Sequence, residues 1–174
     1  MWSRAAGYVS LVGVSQFLII MVVSEVLYPG YSVRENYISD LGVGPTSALF
    51  NASITAMGLA VIVTSVLLRA GYSPLLFLTG AGAVMVGLFP ETTGLPHLLG
   101  ALITFLFGGV TAVVTSKGRN PFWAVLGITS LVSLVLYATG HYGPLGPGGM
   151  ERVIACPELI WGVSFSSHLT AGQH

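Results

Sequence analysis

The sequence predicts an all-α fold, a polytopic membrane helix bundle of six transmembrane helices with both termini cytoplasmic, and three observations predict it. Only 7% of the 174 residues are charged and 53% are hydrophobic, whereas an ordinary soluble domain carries about 25% charged residues. Apolar runs follow one another along almost the whole chain, and a bilayer crossing needs roughly 20 such residues. Short hinges rich in Gly and Pro separate the runs, so a single integral domain covering residues 1–174 is expected.

The first span, residues 5–27, is broken only by Ser10, Ser15, Gln16 and Ser24, and Pro29 with Gly30 ends it. Pro cannot continue a helix and Gly permits the turn. A basic residue before an apolar run is also the start of a secretory signal, but this run is too long and reaches Glu25 without a small-residue cleavage site. It reads as a retained span. The second span, 47–68, stops at Arg69. The third, 75–89, carries Gly80, Gly82, Ala83 and Gly87 and is closed by Pro90; small residues let helix backbones approach closely in lipid. The fourth covers 97–115 and the fifth 122–139. The glycines and prolines of the next stretch, GHYGPLGPGG, predict irregular structure. The sixth span, 149–169, is the least apolar, with Glu151, Arg152, Pro157 and Glu158. Such a helix is stable in a membrane only if its polar stripe faces protein.

Charge orients the bundle. Arg4, Arg69, Lys117 and Arg119 fall on the side of the termini, and positive charge in short loops marks the cytoplasmic face. Glu25, Glu35, Asp40, Glu91 and Glu151 fall at the opposite, outer ends, with Glu158 deeper in span six. Six Lys+Arg balance six Asp+Glu, so no basic surface is available for nucleic acid. The lone Cys156 excludes an intrachain disulfide. No nucleophile elbow, Walker loop or arginine ladder is present.

The stretch Tyr28 to Asn51 is the long polar interruption, and it gathers Arg34, Glu35, Asn36, Ser39 and Asp40. Its Tyr31, Tyr37, Ile38 and Leu41 are too apolar for a disordered tail, so it is expected to fold over the bundle as a lid. Asp40 has the chemistry of a general base, a cation ligand or a helix cap. Glu151 and Glu158 lie two turns apart on one helix face, roughly 10 Å along the axis; Glu158 is expected to be protonated, paired with an arginine or exposed to a water-filled cavity, and Glu151, Arg152 and Glu158 together have the makings of a structural ion network. His97 and His141, with Asp40 and Glu91, have the residue types of a divalent-metal site, and a haem between the two histidines is the lesser alternative. His168 and His174 read as tail residues.

The motifs ENYISDLGVGPTSALFN (Glu35 to Asn51), FPETTGLPH (Phe89 to His97) and GPGGMERVIACPELIWGVSF (Gly146 to Phe165) resemble an uncharacterised group of archaeal and bacterial six-span membrane proteins, catalogued as domain of unknown function nine-nine-eight. Cys156 stands where that group has an aromatic residue. The resemblance covers essentially the whole chain. It implies six helices and outer-face motifs at Ser39, Asp40, Asn51, Pro90, His97, Glu151 and Arg152, and it supplies no activity.

Two readings follow. In the first, the protein is a membrane enzyme acting on a lipid or amphipathic substrate by acid-base or metal-assisted hydrolysis or transfer. Asp40 or Glu151 is then the base, His97 and His141 are proton carriers or ligands, and Arg34 or Arg152 holds an anionic group. In the second it is a non-enzymatic scaffold or accessory subunit. Its expected partners are membrane lipids, partner membrane subunits or a second copy of the chain, and not nucleic acid.

Overall fold

The computed structural model describes residues 2–172 and is helical. Six α-helices run as α1 (Trp2–Leu27), α2 (Ser47–Leu68), α3 (Ser73–Leu88), α4 (Leu95–Ser116), α5 (Pro121–Ala138) and α6 (Gly146–Thr170). Short 3-10 turns occupy Ser39–Gly42, Glu91–Thr93 and Gly143–Leu145, and no strand occurs among the described residues. Each helix packs on its neighbours in chain order and α6 returns to α1, so the bundle is a closed ring; α4 also touches α6 across it.

Local chemistry sets the helix ends. Each of α3 to α6 carries Pro in its first turn, where the missing amide proton has no intrahelical role. The Asn120 side chain caps α5 by accepting from the Phe122 amide at 3.0 Å. Arg69 closes α2 in the left-handed region, at φ 48°.

The stretch expected to be irregular is partly helical. GHYGPLGPGG contains a 3-10 turn and then the first turn of α6, which starts at Gly146 rather than at residue 149. Pro147 is preorganised for a first turn. Gly148 lies so close to the Asn36 carbonyl oxygen that a Cβ would overlap it, and its amide donates to the Arg34 carbonyl at 2.9 Å.

Four helices, α1, α2, α4 and α5, are long and apolar enough to cross a membrane. With 16 residues α3 is shorter, and the 25-residue α6 is polar along one face, where Glu151 and Glu158 are buried. The bundle has two chemically distinct ends. At one, the Thr64 hydroxyl on α2 donates to the Ala6 carbonyl on α1 at 3.2 Å, and the Arg119 guanidinium lies 5.7 Å from the Tyr72 ring centre. The Arg4 guanidinium approaches Gly172 there, so both ends of the described chain share this basic end. At the other end, Ile38 and Leu41 of the long connection are buried in the core with Phe17, Phe50, Ile54 and Leu159. The α1–α2 connection thus folds into the bundle.

Candidate functional site

Arg152 holds this folded connection down. Its guanidinium donates to the Glu25 carboxylate at 2.6 and 3.2 Å, to the Tyr31 hydroxyl at 2.6 Å, and to the carbonyls of Val33, Asn36 and Gly148. A planar fork of five donors suits such a junction, which a lysine cannot reproduce. The Tyr31 hydroxyl passes the chain on, donating to the Tyr37 carbonyl at 2.8 Å. Burial pushes the Tyr31 phenol up to about 12, against the opposing pull of Arg152.

Asp40 organises the loop itself. One oxygen, Oδ2, accepts from the Asn36 side chain at 2.9 Å and from the Tyr37 amide at 3.0 Å. Asn51, in the first turns of α2, donates from its side-chain amide to the Gly42 carbonyl at 2.9 Å. The loop is therefore fastened on both sides.

Beneath it, acids converge. The buried Glu151 accepts at Oε2 from the Ile38 amide at 2.5 Å. The Ser39 hydroxyl donates to Glu91 Oε2 at 3.0 Å, and the Asp40 carboxylate lies beside Glu91. Burial lifts the Glu91 carboxyl above the usual range and Asp40 adds to the rise, while the Ser39 hydrogen bond and His97 oppose it. His97 is buried in the first turn of α4, with Nδ1 2.9 Å from the Phe89 carbonyl.

Several of these groups stand at one end of a cavity of about 100 Å³ that runs into the bundle. Ile38, Ser39, His97 and Glu151 line its polar end, Phe105, Leu159 and Ile54 its middle, and Trp161 and Phe165 its far end. Glu158 also faces it, with Oε1 accepting from the Ser130 hydroxyl at 2.6 Å. The Glu158 carboxylate presses on Gly108 of α4, where a Cβ would overlap Oε2. Glycine at that position is what admits an acid between helices.

The residues singled out from sequence divide accordingly. Ser39, His97, Glu151 and Glu158 line the cavity; Asp40 and Asn36 shape the loop over it. Arg152 does not pair with Glu151 or Glu158 as the ion-network reading expected: its partner is Glu25 on α1, because the guanidinium turns outward under the loop. Arg34 and Glu35 pair with each other on the exposed face, at 3.2 Å. His141 is exposed, with Nδ1 3.0 Å from the Thr139 hydroxyl, and does not line the cavity. Among the described residues no group of three or more His, Cys, Asp or Glu is placed to hold a metal. His168 is no tail residue; it lies in the last turn of α6 with its ring 5.4 Å from Trp123. His174 lies outside the described residues. Sequence reasoning passed over Ser130 as a partner of Glu158, since a serine inside an apolar span commonly bonds a carbonyl of its own helix, as Thr79 and Thr104 do here.

Fold and site together define a class: an all-helical, membrane-type bundle with a polar site at one end of an apolar cavity. The chain belongs to the family described as "Protein of unknown function (DUF998)", whose profile matches residues 11–168. No curated protein and no solved structure matches it.

Proposed function

We propose that the protein is a six-span integral protein of the cell membrane, with its termini cytoplasmic, that acts on a lipid or other amphipathic substrate by acid-base hydrolysis or transfer. One observation carries the reading: Ser39, His97 and Glu151 line one end of an apolar cavity, at the acidic end of the bundle. Apolar depth accommodates a hydrocarbon chain, and titratable groups at the polar end meet the head. The basic residues of the opposite end support the orientation, since positive loops stay inside.

Glu151 and His97 are the acid-base pair in this reading. The Nδ1 of His97 is held by a carbonyl, which leaves Nε2 as a lone-pair acceptor. Glu151 keeps Oε1 for a reacting proton while Oε2 is held by the loop. Asp40, Asn36 and Arg152 position the loop and do not touch substrate. Ser39 and Glu91 connect loop and polar end through their hydrogen bond.

The non-enzymatic scaffold has one observation in its favour: Arg152 and Asp40 are occupied by intramolecular hydrogen bonds. Turnover decides between the two. The protein is reconstituted in vesicles of total membrane lipid, and lipid composition is followed by mass spectrometry. Turnover that is lost in His97→Gln and Glu151→Gln, with helicity retained, supports the enzyme. Turnover unchanged in both variants, or absent from the native protein, overturns it.

A further inference from the structure

The walls of the cavity specify its ligand more narrowly than the word amphipathic. The lining on α2 extends from Phe50 to Val61 and on α4 from His97 to Gly108. At 1.5 Å per residue each stretch covers roughly 16 Å. That is close to half of the hydrocarbon core, which is roughly 30 Å thick, and so close to the reach of one lipid tail in one leaflet. A volume of about 100 Å³ distributed over such a depth is narrow, with Phe17, Phe50 and Phe105 among its walls. Such narrowness favours one hydrocarbon chain over two chains or a fused ring system.

The polar end is equally restrictive. Among the residues lining the cavity there is no Lys or Arg. Arg152 is engaged by Glu25 and the loop carbonyls, and Arg34 lies outside with Glu35. What the polar end presents is acceptors. With Nδ1 on the Phe89 carbonyl, His97 offers the lone pair of Nε2. Glu151 Oε1 has no hydrogen-bond partner among the described residues, while Oε2 holds the Ile38 amide. An anionic head would meet carboxylates with no counter-charge, and a buried charge without a partner is costly. A head that donates hydrogen bonds finds its acceptors already in place.

We propose that the ligand is a single-chain lipid with a hydroxyl or amine head, its head held between Glu151 and His97 and its tail reaching Trp161. The inference rests on the reading of the cavity as a lipid site and adds head chemistry, chain number and direction of insertion.

Trp161 at the far end supplies the readout. In a Trp2→Phe/Trp123→Phe background, Trp161 is the one remaining tryptophan. The detergent-purified protein is titrated with a monoacylglycerol and a long-chain alkylamine, each brominated either at the chain end or next to the head. A brominated fatty acid and a brominated diacyl phosphatidylcholine complete the set. Both donor-headed lipids should quench Trp161 saturably, with chain-end bromine quenching more than head-side bromine. The ionised fatty acid and the two-chain lipid should bind at least about tenfold more weakly, and Glu151→Gln should weaken the alkylamine by a similar factor. Should the background variant not fold, the same titrations are run on the native chain, and Trp161→Phe must remove the difference between the two bromine positions. Equal binding of the fatty acid overturns the head assignment and leaves the lipid site standing. Stronger quenching by head-side bromine overturns the direction of insertion. Absence of saturable quenching by every lipid overturns this inference and the lipid-site reading together.

Discussion

The Glu151 carboxylate on α6 accepts a hydrogen bond of 2.5 Å from the backbone amide of Ile38, 113 residues earlier in the chain. This contact joins the least apolar helix to the loop over the polar end of the cavity. It makes Glu151 a structural group at one oxygen and a free acceptor at the other. Removing the side chain leaves a buried amide without a partner, which costs about 1–3 kcal/mol. Glu151→Ala should therefore lower stability by that amount in a denaturant titration in detergent. Glu151→Gln keeps an acceptor for Ile38 and should lose less than half as much. Equal losses in the two variants would show that the hydrogen bond contributes nothing.

The Arg152–Glu25 pair at 2.6 Å is the second tie, with both side chains largely buried. Truncating one partner of a buried ion pair costs about 3–5 kcal/mol. Arg152→Ala should be the most destabilising of the substitutions described, and Arg152→Lys should recover only part of the loss, because a lysine cannot serve Glu25, Tyr31 and three carbonyls together. Amide hydrogen exchange should accelerate at residues 31–37 in both variants; unchanged protection there would separate Arg152 from the loop.

Glu91 gives the loop a pH dependence whose sign follows from its surroundings. Ser39, Asp40 and His97 face it, and burial with the Asp40 charge raises its folded value above the ordinary carboxylate range. The folded state therefore binds the Glu91 proton more tightly than the unfolded chain does. The stability this contributes is fully present below the ordinary range and is lost as pH rises through the raised value. The melting temperature should fall between mildly acidic and neutral pH in the native protein, and Glu91→Gln should flatten that fall. A native curve that rises over the same interval would contradict the assignment.

Gly108 admits Glu158 to the interior. Gly108→Ala forces the carboxylate off its Ser130 hydrogen bond of 2.6 Å, and overpacking of this kind costs about 1–3 kcal/mol. Glu158→Gln, in the Gly108→Ala protein, should not restore stability, because the amide is as large as the acid. Glu158→Ala should restore it in part. Purely additive effects of the two substitutions would disprove the contact.

Much of the helical architecture was legible because it depends on local chemistry. The apolar runs, Pro at the helix starts and Arg69 after α2 set the helix ends within a few residues. The start of α6 escaped, since a Gly-Pro-Gly-Gly turn is helical here only through the approach of Asn36 and Arg34 to Gly148 and its neighbours. Of the candidate site, His97 and Glu151 were identifiable as polar residues at the ends of apolar runs, and Ser39 as part of the long polar interruption between the first two. The division of labour among them was not.

The sequence by itself determined an apolar, helix-forming chain, the gathering of its acids toward one end, and its family, because hydropathy, helix breakers and motif order are properties of neighbouring residues. Only the tertiary structure decided that Arg152 takes Glu25 rather than Glu151, that Asp40 turns into the loop, and that Glu151, His97 and Glu158 share one cavity. Those outcomes depend on the rotation of each helix about its axis and on the path of the α1–α2 connection. Contacts between residues more than a hundred positions apart set both, and no local pattern encodes them.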